Sequence, residues 1–99
     1  MAQRKIVDAL RFFERKLIEN GLSVSKVLLF GSQNKNMATA ESDIDVMVVS
    51  NDFKNKNIFQ RASLTKQAEI QTIKKFMLPL DIITLTDDEA KKRTILMQI

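Results

Sequence analysis

Two apolar runs, residues 26–30 and 44–49, bracket a polar stretch that opens with Gly31-Ser32 and closes, after ten further residues, on Asp43-Ile44-Asp45. The first run, Lys26-Val27-Leu28-Leu29-Phe30, is rich in strand formers and too short for a helix of usual length. It stops at Gly31. A glycine there allows a sharp turn or a close backbone approach, so that amide N–H groups face an anion. Ser32 adds a hydroxyl and can open a short helical turn, whose first N–H groups lack internal partners and carry partial positive charge. Phosphate oxygens fit that environment.

The second run begins Asp43-Ile44-Asp45-Val46-Met47-Val48-Val49. Strand alternation sends Ile44, Val46 and Val48 to one sheet face, and Asp43, Asp45, Met47 and Val49 to the other. Asp43 and Asp45 then share a face with Cα atoms roughly 6.5 Å apart, from a rise of about 3.3 Å per residue. Such carboxylates repel each other unless a cation sits between them. Magnesium is the natural choice, because it takes one or two carboxylates, adds substrate phosphate oxygens and retains some water.

A third acid lies in Leu80-Asp81-Ile82-Ile83-Thr84-Leu85, a strand entered through Pro79. If this strand runs parallel to the one beginning at Asp43, with a helix as the crossover, Asp43, Asp45 and Asp81 fall at one sheet end. For Gly31-Ser32 to reach that edge, the first strand must run antiparallel to the second. The expected architecture is a small mixed sheet with helices packed on it, an α/β (α+β) chain.

These residues resemble the minimal nucleotidyltransferases of the DNA polymerase beta-like superfamily, which includes kanamycin nucleotidyltransferase and the MntA-type antitoxins paired with HEPN proteins. The resemblance runs from the leading helix through Phe30-Gly31-Ser32 and Ser42-Asp43-Ile44-Asp45 to Asp81. It implies the polymerase beta-like fold and transfer of a nucleoside monophosphate, AMP from ATP, to an acceptor hydroxyl. It also implies that Gly31 and Ser32 hold the β- and γ-phosphates, that Asp43 and Asp45 bind two magnesium ions, and that Asp81 completes the catalytic metal site. A helical HEPN-type partner follows from the same resemblance, as part of a toxin–antitoxin pair. Family members commonly carry a basic, glycine-containing stretch after the serine; here it is Gln33-Asn34-Lys35-Asn36-Met37. The alternative is a non-catalytic nucleotide-binding or antitoxin subunit that acts by protein–protein binding.

Composition narrows the chemistry further. The 99 residues, 44% of them hydrophobic, suit one domain over residues 1–99 with one core. With no cysteine and no histidine, thiolate nucleophiles, zinc–thiolate sites and the usual general base are excluded, and carboxylates are left to act. No apolar stretch has the length of a membrane span and no secretory h-region is seen, so the expectation is a cytoplasmic protein without membrane contact. A net charge of +4 favours anionic ligands but is modest for a dedicated nucleic-acid binder. Tyrosine and tryptophan are absent and Phe12 and Phe13 read as core and flank, so composition argues against nucleic acid as the main partner. Lys54, Lys56 and Arg61 lie in or just after an asparagine-rich stretch; they can touch phosphates, although a solvated loop is the simpler reading.

The remaining segments read as scaffold. Ile6, Leu10, Phe13 and Leu17 form one stripe of an amphipathic helix over residues 3–20, stopped by Gly21. A second helix over residues 58–76 is expected to face the core through Phe59, Ala62, Ile70 and Ile73. Thr86-Asp87-Asp88-Glu89 is a capping-box pattern that opens a third helix. The apolar residues Ile95, Leu96, Met97 and Ile99 fit packing on the core or contact with another chain, either a partner or a second copy.

Overall fold

The computed structural model describes residues 2–29 and 44–98, with side chains described for residues 4–29 and 44–92. In chain order these form α1 (Ala2–Glu19), β1 (Lys26–Leu29), β2 (Ile44–Val49), a single 3-10 turn (Asn51–Phe53), α2 (Ile58–Phe76), β3 (Leu80–Leu85) and α3 (Asp87–Gln98). Among the described residues there is one three-stranded sheet, ordered β1-β2-β3. β1 pairs antiparallel with β2, and β2 pairs parallel with β3 across the α2 crossover. This is the mixed arrangement expected if the three acids and Gly31-Ser32 are to share one sheet edge.

α1 and α2 cover one face of this sheet. Ile44, Val46, Val48 and Leu80 project into a core shared with Phe13 and Leu17 of α1, Ala68 of α2 and Phe53 of the 3-10 turn. β2 is the central strand, and Met47 and Val49 on its opposite face are buried too. Its near-continuous apolar sequence reflects shielding on both sides.

Local chemistry sets the ends of the elements. α1 stops in a Schellman turn: the Gly21 N–H bonds the Ile18 carbonyl, the Leu22 N–H bonds the Leu17 carbonyl, and Gly21 takes φ 98°. Leu22 and Leu17 are both buried in the core, which supplies the apolar contact of that motif. α2 begins with a reciprocal capping box between Asn57 and Gln60. It ends at Met77, a left-handed cap whose N–H bonds the Ile73 carbonyl, two residues before Pro79. α3 opens with the expected Thr86–Glu89 box: the Thr86 N–H donates to Glu89 Oε1, and the Glu89 N–H to Thr86 Oγ1.

The buried face of α2 differs from the sequence expectation. Phe59 is 79% exposed and Ala62 and Ile70 are also exposed, whereas Thr65, Ala68 and Thr72 are buried and Ile73 packs at the core margin. Small residues let the helix approach the sheet closely. The two threonine hydroxyls are satisfied within the helix, by the carbonyls of Ala62 and Ala68. Counting large apolar residues therefore selects the wrong face.

Candidate active site

Asp45 and Asp81 occupy the second positions of β2 and β3 and are direct Cα partners in the parallel ladder. Neighbouring strands lie about 4.8 Å apart, and paired positions turn their side chains to the same sheet face. Both aspartates thus stand side by side on the face opposite the α1–α2 layer. Ile44 and Val46, buried on either side of Asp45, anchor its backbone, while Leu80 does the same for Asp81. Asp45 is half-buried and Asp81 exposed. Gly31, Ser32 and Asp43 lie outside the described residues.

Two adjacent carboxylates form a repulsive pair that a cation relieves, and their hard oxygens match the donor set magnesium prefers. Among the described residues no group of three or more acids, histidines or cysteines is placed to hold a metal ion. The three-acid set expected from sequence requires Asp43 in addition to this pair.

A groove of about 450 Å³ runs along the outer edge of β3, between that strand and α2. Arg61, Thr65 and Glu69 line it from the helix, and Leu80, Asp81 and Ile83 from the strand. Asp81 belongs to both the groove and the carboxylate pair; Asp45 does not line the groove. Glu69 was not singled out by sequence reasoning. Its carboxyl is pushed above the usual range by burial first and by the charge of Asp81 second, with Lys66 opposing. The available signal was positional: residues 58, 62, 65 and 69 follow helical spacing, so Glu69 continues the stripe that faces the strand.

Arg61 belongs to α2 rather than to a solvated loop. Its side chain is 14% exposed and joins three elements. Nε donates to the Lys56 carbonyl at 3.0 Å, Nη1 to the Thr84 carbonyl at 3.2 Å, and the guanidinium grips the Glu89 carboxylate at 2.8 and 3.3 Å. The group also lies 5.9 Å from the centre of the Phe53 ring. With its donors so engaged, Arg61 holds the start of α2 against the end of β3 and the first turn of α3.

This clamp has a pH signature. Hydrogen bonds from Arg61 first and from the Thr86 backbone second hold the Glu89 carboxyl below the ordinary carboxylate range. The folded state therefore binds fewer protons here than the unfolded chain, and the associated stability is present above about pH 4.5 and lost as pH falls through the lowered value. Arg61→Ala should destabilise the fold by about 2 kcal/mol at pH 7, chiefly through lost hydrogen bonds from a nearly buried cation, since the exposed carboxylate is screened. Urea unfolding measured from pH 3 to pH 7 should show the gap between variant and parent narrowing at the acid end. A gap that stays constant would mean that the Glu89 contact contributes nothing.

Comparison with known proteins gives three results. The family model described as a nucleotidyltransferase domain matches residues 5–99. Among solved structures, BolA1 from Arabidopsis thaliana is similar with a TM-score of 0.57 and 18% identity, covering 82% of this chain and 94% of that one. A Sulfolobus solfataricus protein provisionally assigned as a nucleotidyltransferase is similar with a TM-score of 0.51 and 20% identity, covering 89% of this chain and 78% of that one. Identities this low show the fold alone. No curated protein matches.

Proposed function

Because the chain belongs to the nucleotidyltransferase domain family, we propose that it moves a nucleoside monophosphate, AMP from ATP, onto an acceptor hydroxyl. The observation that carries this reading is the Asp45–Asp81 register, which sets two hard oxygen donors side by side on one sheet face. In the proposed reaction the acceptor oxygen bonds to the α-phosphorus, the bond from that phosphorus to the leaving pyrophosphate breaks, and Asp81 takes the acceptor's proton. Divalent ions, when bound, supply charge neutralisation at the phosphates and acidify the acceptor hydroxyl. Asp45, with Asp43, holds them; Asp81 completes the set. The Gly31 amide and Ser32 hydroxyl hold the leaving phosphates.

We assign a helical HEPN-type subunit as the partner on the strength of the sequence resemblance. Exposed Ile58, Phe59 and Met77 favour a protein partner of some kind, since they leave apolar side chains uncovered on and just beyond α2. The same observation supports the second reading, a subunit that acts by binding alone. Incubation of the co-expressed pair with ATP and magnesium, followed by mass measurement of both chains, separates the two. Transfer predicts an added nucleotide mass that does not form when EDTA is present from the start. Unmodified chains, with partner binding that survives Asp45→Asn, identify the binding subunit instead.

A further inference from the structure

We infer that the outer junction of α1 and α2 is a separate binding surface for the phosphodiester backbone of a single-stranded nucleic acid. Three cations converge there on one aromatic ring. The Phe12 ring centre lies 5.6 Å from the Arg15 guanidinium, 5.3 Å from Lys16 Nζ and 5.2 Å from Lys75 Nζ. Phe76 packs edge-on against Phe12 at 5.6 Å and lies 6.0 Å from the same Lys75 ammonium. Lys16 is paired with Glu19, but among the described residues neither Arg15 nor Lys75 is ion-paired with a carboxylate.

Like charges gathered this closely repel. The negative faces of the rings offset part of that repulsion, and a ligand carrying several negative charges removes the rest. A single carboxylate would answer one cation only. A nucleic-acid strand brings one phosphate per nucleotide, so successive charges reach Arg15, Lys16 and Lys75 together. Cations already occupy the surroundings of Phe12, so the surface offers the backbone a charged seat and offers the bases no stacking platform. Recognition is then independent of sequence. The seat lies where α2 ends at Phe76, four residues before β3 begins at Leu80, on the side of the molecule from which the Asp81 strand starts.

Binding at this surface is separable from nucleotide transfer, because it is tested with neither a nucleoside triphosphate nor a divalent metal present. Anisotropy of a labelled twelve-nucleotide uridine RNA is measured against the full chain between 50 and 200 mM KCl. With about three phosphates neutralised, affinity should fall roughly 15- to 20-fold over that range, a log–log slope near −2. Arg15→Gln with Lys75→Gln should weaken binding about tenfold at 50 mM and bring the slope to about −0.7. Both residues are exposed, so the fold should persist. Arg15→Lys with Lys75→Arg keeps the charges and should bind like the parent. Lys91→Gln with Lys92→Gln, an equal change in net charge elsewhere, should also leave binding intact. The proposal is overturned if both glutamine pairs lose affinity equally, if the parent does not bind RNA, or if only phosphatidylserine vesicles bind in an Arg15- and Lys75-dependent way.

Discussion

Asp45→Asn is expected to lower nucleotide transfer about a thousandfold, equivalent to roughly 4 kcal/mol of transition-state stabilisation, while leaving the fold intact. Asparagine is nearly isosteric with aspartate, so the β2 backbone held by Ile44 and Val46 has no reason to move. What changes is charge: the proposed cation seat beside Asp81 loses one of its anionic walls. Unfolding should respond little. The side chain keeps its shape, so the variant should stay within about 1 kcal/mol of the parent in stability. Transfer rates and urea midpoints measured on the same preparations separate these effects. An inactive and unfolded variant would assign Asp45 a structural role, and full activity would remove it from the site.

The second large effect concerns the scaffold. Phe53 sits in a 3-10 turn of three residues, yet its ring is completely buried among the side chains joining the sheet to α1 and α2. Ser50 caps that turn by accepting the Asp52 N–H at 3.0 Å, and the Arg61 guanidinium lies 5.9 Å from the ring. Phe53→Ala should therefore remove a core side chain and strand the clamp above it, destabilising the fold by about 3–5 kcal/mol. Against a total of about 5–15 kcal/mol for a native domain, this is a large fraction. With a urea m-value of about 1.5 kcal/mol/M, the midpoint should drop by roughly 2–3 M. A loss under about 1 kcal/mol would show that the turn does not anchor the β2-to-α2 connection.

The sheet was legible in the sequence because its strands are compact apolar runs with acids at fixed positions. Those positions implied the parallel pairing of β2 with β3 and the antiparallel pairing of β1, and the register now places Asp45 beside Asp81. Gly31, Ser32 and Asp43 carry the strongest motif signal, and their roles rest on sequence alone. The packing face of α2 was illegible because Thr65, Ala68 and Thr72 are buried while the bulkier Phe59 points outward. Arg61 could not be read correctly either, since its acceptors Thr84 and Glu89 come from the far end of the chain. The cation cluster on Phe12 escaped notice for the same reason: Lys75 reaches it from another helix. Sequence spacing reports what one element presents, and these features are made by two or three elements together.

Asp45 and Asp81 are proposed to seat a divalent ion jointly for a nucleotide substrate. Manganese, used as a paramagnetic stand-in for magnesium, tests it directly when added in substoichiometric amounts with ATP while backbone amide resonances are followed. Selective broadening is expected at residues 44–46 and 80–82, abolished by Asp45→Asn. Broadening centred instead on Asp87 and Asp88, or equal loss in parent and variant, would contradict it.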